Sequence, residues 1–146
     1  MADQHRRDLV NRKLVLLVGY ADELAALLEP RQEGPSGNIE RRATERLVQL
    51  IVEVTVDTNN LLADSAGLPP PPTSRASFEA ARTCRAIREE LARRFLVSYV
   101  GLRNRIVHDY DRLDDRLVVL AARRLVDDAR EYGAQVRAYL EGTLSA

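Results

Sequence analysis

Apolar residues in this chain recur at steps of three and four over most of its length, and no useful stretch alternates at steps of two. A helix turns once in about 3.6 residues, so this spacing lines up one apolar face, whereas a half-buried strand would need alternation. The pattern predicts an all-α protein. Val10, Leu14, Leu17, Ala21, Leu24 and Leu28 mark a first helix from about Asp8, closed by Pro30 and the Gly34-Pro35-Ser36-Gly37 loop. Ala43, Leu47, Leu50, Val54 and Leu61, widened by Ile51 and Leu62, mark a second helix, with Asn38 as its cap and an end near Ser65. Gly67 sits where its C-terminal stop belongs. Asp57, Thr58, Asn59 and Asn60 put polar groups near that end, where they face solvent, a cleft or a partner surface.

Pro69 to Pro72 cannot be helical and form a stiff extended link. Lying between two helical patterns of one small domain, this run reads as a spacer rather than as an interaction peptide. Thr73 or Ser74 caps a short helix around Ser77 to Ala81. A longer helix then carries Cys84, Ile87, Leu91, Phe95, Tyr99 and Leu102. The last begins near Asp114 or Asp115, takes its apolar surface from Leu113, Leu117, Leu120, Ala121, Leu125, Tyr132, Val136 and Tyr139, and ends by about Gly142. The expectation is one domain over residues 1–146, its core at about 8–141: an antiparallel bundle of four main helices plus a short one.

Twenty-two basic and 22 acidic residues cancel, which excludes a global field drawing the chain to nucleic acid or membrane but leaves local patches open. Arg outnumbers Lys 21 to 1. A GC-rich genome explains that bias, yet Arg is also the better fork for phosphate. Cys84 is the single cysteine, so no internal disulfide can form, and no His or Cys stands near it at metal-ligand spacing. With neither a signal-peptide core nor an apolar run of membrane length, the chain is expected to be soluble and cytoplasmic.

One stretch concentrates the chemistry. Gly101 to Asp111, GLRNRIVHDYD, packs Arg103, Asn104, Arg105, His108, Asp109, Tyr110 and Asp111 together and holds the only histidine besides His5. Asp109 and Asp111 alone would ligate a metal weakly, and no Ser or Cys nucleophile belongs to the set, so neither a metal site nor a hydrolase triad is expected. Histidine exchanges protons near neutral pH, and Arg holds phosphate and its developing charge, which is equipment for metal-free RNA cleavage. A structural histidine capping a helix end is the alternative. One histidine is sparse for both acid and base, and a two-fold dimer would double the set.

Arg103, Asn104, His108 and Tyr110 read R-N-x3-H-x-Y, and this pattern resembles the signature of HEPN-domain toxins of the HepT-like branch. Similarity extends to RRATERLVQLIVEVTVDTNNLLADSAGLPPP and GLRNRIVHDYDRLDDRLV, covering roughly residues 8 to 141. The resemblance implies a homodimeric, metal-independent endoribonuclease that needs no cofactor, the toxin of a type VII-like toxin–antitoxin pair. Arg103 and His108 would be its catalytic pair and Asn104 their support, with RNA, tRNA included, as substrate. It also implies a minimal nucleotidyltransferase (MNT) antitoxin that transfers AMP to Tyr110, adding negative charge beside the cleft. Arg105, Arg112 and Arg116 are candidate RNA contacts. A different class remains open: a non-catalytic helical subunit that binds substrate for, or presents Tyr110 to, a nucleotidyltransferase.

Overall fold

Each periodic stretch becomes a helix. The computed structural model describes residues 2–28 and 37–145, leaving out the side chains of Ala2, Tyr110, Thr143, Leu144 and Ser145. In it α1 spans Ala2–Leu28, α2 Asn38–Ser65, α3 Ser74–Thr83, α4 Glu89–Arg94, α5 Val100–His108 and α6 Asp115–Ser145. A π turn, Phe95–Tyr99, fuses α4 and α5 into one rod, and a 3-10 turn, Tyr110–Arg112, leads from α5 to α6. No strand occurs among the described residues. The expected loop at Pro30 and Gly34 to Ser36 lies outside them.

Side-chain pairs give the directions. Arg6 meets Asp64 at 2.8 Å and Lys13 meets Asp57 at 3.4 Å, so α1 and α2 run antiparallel. Arg7 reaches the Leu140 carbonyl and Arg130 reaches Asp22, so α1 also opposes α6. Arg94 pairs with Asp128 at 3.0 Å and the Arg88 amide with Gln135 at 2.7 Å, which sets the rod against α6 as well. The result is the expected bundle of four long bodies plus short α3. It gathers the C-terminus of α5 and the N-termini of α2 and α6 at one end, through Arg103–Glu53 and Arg41–Asp115 contacts of 2.9 Å each.

Helix ends follow local chemistry. Gly67, at φ +76°, lets the Leu68 amide return to the Ala63 carbonyl and its own to Asp64, closing α2 as expected. The Thr73 hydroxyl accepts from the Ala76 amide at 3.0 Å and starts α3. Asp114 caps α6, accepting from the Arg116 amide at 2.9 Å. Three expectations about helix ends need correction. The residue capping α2 is Gly37, and Asn38 instead accepts from Arg41. Helix α1 starts at Ala2, since Arg6 and Arg7 tie its first turns to α2 and α6, so His5 is helical and exposed. At its other end, α6 continues through Gly142 to Ser145.

Cys84 and Ile87 do not share the rod with Leu91. The chain leaves α3 at Cys84 through Arg85, the only described non-glycine at positive φ (+66°), and the Arg85 and Ala86 amides bond back to Arg82 and Ala81. An arginine there costs roughly 1 kcal/mol that a glycine would not. Ala86 and Ala81 are both buried, and the Ala86 amide on the Ala81 carbonyl at 3.0 Å closes the turn.

The core differs from the sequence pattern in its exact faces. On α6 the buried line is Val118, Ala122, Leu125, Ala129, Tyr132 and Val136, while Leu117 and Leu120 are 57% and 53% exposed. Leu125, Tyr132 and Val136 are buried as expected, but Leu117 and Leu120 were expected where small Ala122 and Ala129 line the core instead. On α2 the buried line passes through Val48, Ile51, Val52, Thr55, Asn59 and Leu62, so polar residues sit inside. Asn59 donates to Ser77 Oγ at 3.2 Å, and Tyr132 Oη donates to Asn59 Oδ1 at 2.5 Å beside the Thr55 carbonyl. Thr58 is buried too, bonded to the Val54 carbonyl, so neither it nor Asn59 faces solvent or a cleft. Around this network Phe95 stacks on Phe78 (4.8 Å) and meets Tyr99 edge-on (5.0 Å) and Tyr132 at a tilt (5.9 Å). Burying each such ring or a leucine is worth about 1.5–3 kcal/mol.

Candidate active site

The site begins with the rod. A π turn carries one residue more than an α turn, so it rotates the following segment by about 100° relative to an uninterrupted helix. The Val100 amide bonds to the Phe95 carbonyl across this wide turn. Tyr99 anchors it, donating to Asp128 Oδ2 at 2.5 Å, while Arg94 holds the same carboxylate and also Glu131. Burial, then the hydrogen bond and charge of Asp128, push the Tyr99 phenol far above its ordinary value of 10.0, so it stays a donor. Beyond the turn, Val100 and Ile106 pack inward, and α5 ends at His108, where the Asp109 amide returns to the Arg105 carbonyl at 2.8 Å.

Arg103 is partly covered, its side chain 27% exposed, and its Nη2 donates to Glu53 Oε1 on α2 at 2.9 Å. Gln49, one turn earlier on α2, donates to the same oxygen at 3.0 Å. Burial alone would raise the Glu53 carboxyl. Hydrogen bonds from Gln49 and Arg103, with the charges of Arg103 and Arg46, outweigh it and hold the group below the ordinary 4.5. Glu53 is therefore an anion that holds the guanidinium through Nη2. Nη1 lies 3.4 Å from Asn104 Oδ1, a long contact.

His108, Asn104 and Asp109 are exposed. Arg105, Arg112 and Arg116 are exposed as well, at the same end of the bundle, and the Arg112 amide closes the turn onto the Asp109 carbonyl at 3.0 Å. Tyr110 begins this 3-10 turn; its side chain lies outside the described residues. Sequence reasoning missed Glu53, Gln49 and Arg46. The Gln49–Glu53 spacing of four was visible, but only the fold says which helix supplies the acid for Arg103. Among the described residues no three His, Cys, Asp or Glu side chains converge as a metal site would require, and no helix is long and apolar enough to cross a membrane.

Residues 19–136 match the family described as Ribonuclease HepT-like. The chain belongs to that family. This HepT-like chain is 28% identical, over 90% of both lengths, to a tRNA nuclease HepT of Aphanizomenon flos-aquae. Its fold matches a tri-AMPylated Shewanella oneidensis HEPN toxin in complex with an MNT antitoxin, with a TM-score of 0.81 at 22% identity, over 90% of this chain and 98% of that one. It also matches a chain of a toxin–antitoxin structure with AMP-PNP, with a TM-score of 0.78 at 21% identity and the same coverage. The HEPN-like bundle is thus the fold of this chain.

Proposed function

We propose that this chain is the ribonuclease toxin of a HEPN–MNT pair. Family membership supports the coarse activity, and one local observation supports the finer reading: a guanidinium held by Glu53 and, five residues on and about 140° around the helix, an exposed histidine at the end of α5. In this reading Arg103 binds the scissile phosphate and the charge that builds on it. His108 moves the proton of the 2′-hydroxyl or of the leaving 5′-oxygen, and Asn104 steadies the arginine. No step calls on a metal or other cofactor. Arg105, Arg112 and Arg116 add phosphate contacts.

One histidine per chain is the motive for a homodimer whose two R-x4-H motifs share a cleft. Ile39, Val107, Leu117 and Leu120 are exposed apolar side chains at this end of the bundle, and a second copy would cover them. AMP transfer to Tyr110 by the partner nucleotidyltransferase would place bulk and negative charge two residues from His108. tRNA is the first substrate to try, since a relative bears that name.

The test is cleavage of tRNA and other RNA by the purified protein with chelator present. Activity that persists under chelation and disappears in His108→Ala and in Arg103→Ala is the expected result. An equally active His108→Ala protein sinks the assignment, and an inert wild type leaves the binding-subunit reading in its place. Co-expression with the nucleotidyltransferase is expected to add mass in AMP units, and Tyr110→Phe to abolish the gain.

A further inference from the structure

The arginine pair Arg42 and Arg46 has no role in the motif, and α2 places it in line with the site. Residues 42, 46, 49 and 53 follow one another at steps of four, three and four, which on a helix confines them to a stripe about 60° wide. The stripe leads from Arg42 and Arg46 through Gln49 to Glu53, whose carboxylate grips Arg103. The charge of Arg46 acts on Glu53, which places it within electrostatic reach of the site. Both arginines are exposed, and Arg42 has no hydrogen-bond or ion-pair partner among the described residues.

Arg6, Arg41, Arg82, Arg94 and Arg130 each meet a carboxylate, whereas Arg42, like the exposed Arg12 and Arg93, meets none among the described residues. Glu45, between the pair in sequence, is buried at 4% exposure. Two like charges four residues apart weaken a helix, and a polyanion lying along them would reverse that penalty. The run from Arg42 to Glu53 rises about 16 Å, room for several nucleotides.

We propose that this stripe is a phosphate track. Arg42 and Arg46 bind the backbone of the RNA strand whose scissile phosphate reaches Arg103, without reading its bases. The inference rests on the ribonuclease reading and extends it to the path of the substrate.

Full-length protein carrying His108→Ala, which leaves RNA uncut, is titrated with a labelled RNA that the wild type cleaves, at a series of salt concentrations. Adding Arg42→Ala and Arg46→Ala is expected to weaken Kd about tenfold and to flatten the slope of log K against log salt by about 1.4, two contacts at about 0.7 each for a single strand. Lysine at both positions should recover most of the affinity. Replacing Arg12 and Arg93, exposed arginines off the stripe, should leave Kd within about twofold. Unchanged Kd and slope in the α2 double variant overturn the track. An equal loss in the Arg12 and Arg93 control overturns it too, because the effect is then one of total charge. A wild type that cleaves and binds no RNA removes the ribonuclease reading and the track together, and is recognised before any α2 variant is made.

Discussion

Two polar clusters lie in this bundle, and they are built on opposite terms. Asn59, Ser77, Tyr132 and the Thr55 carbonyl meet where water is absent: Asn59, Ser77 and Tyr132 are all 0% exposed. No buried side-chain nitrogen or oxygen among the described residues lacks a partner. Arg103, Glu53 and Gln49 are only partly covered, and on the same helix as Arg103 the side chains of His108 and Asn104 are exposed, with Asn104 in a long 3.4 Å contact with Arg103. In a low-dielectric interior each unmade bond is costly, so a buried network must be complete and has nothing left for a ligand. At the surface, water fills the gap, so an unmade bond costs little. Residue type does not separate the clusters; the state of satisfaction does.

The sharpest break of this contrast is at His108. His108→Ala should lower RNA cleavage on the order of a thousandfold while thermal melting moves by no more than about 2 °C, because an exposed imidazole carries little of the fold. Initial rates and melting curves on one preparation read both. Cleavage intact, or melting strongly lowered, would place His108 in the structural class with Asn59.

Asn59→Leu should do the reverse. Removing a fully bonded amide from between Tyr132 and Ser77 should cost about 2–3 kcal/mol, a fall in melting temperature of about 6–10 °C, with the per-molecule cleavage rate of the folded fraction near wild type. Urea unfolding at 25 °C gives the first number directly. A large rate loss in stable protein would mean that the buried network reaches the site.

Tyr99→Phe probes the tie between the two regions, the hydrogen bond to Asp128 that anchors the π turn. Asp128 keeps Arg94 as a partner, so the expected loss is smaller, about 1 kcal/mol by denaturant unfolding. If no stability is lost, the tyrosine hydroxyl is not what holds the turn.

The smallest effect is a pH dependence at Glu53. Its folded carboxyl lies below the ordinary 4.5, so the folded state binds fewer protons than the unfolded one near that pH. The stability it contributes is present above 4.5 and is lost as pH falls through the lower folded value. Melting temperatures of wild type and Glu53→Gln should therefore converge as pH drops from about 6 to about 3. Parallel curves would show that Arg103 does not need the anion.

Much of this was legible in the chain. Thr73, Gly67 and Asp114 announced their helix ends because caps and left-handed stops depend on chemistry within a few residues. The R-x4-H spacing can be read directly from the chain, and α5 ends at its histidine. Other readings failed where the deciding neighbour was remote. Leu117 and Leu120 looked like core because they are large, yet which stripe of α6 is buried depends on the shapes of α1 and the rod. Ile87 looked continuous with Leu91, since nothing local marks an arginine for positive φ; the buried Ala81–Ala86 closure imposes it.

The sequence by itself determined that the chain is helical, where most helices stop, and which short run concentrates Arg, Asn, His and Tyr, since periodicity and capping act over one or two turns. Tertiary structure decided which polar residues are buried and complete and which remain open, and it brought Glu53 across from α2 to Arg103, fifty residues away in the chain. A side chain's role depends on what meets it in space, and partners that distant are chosen only when the helices pack.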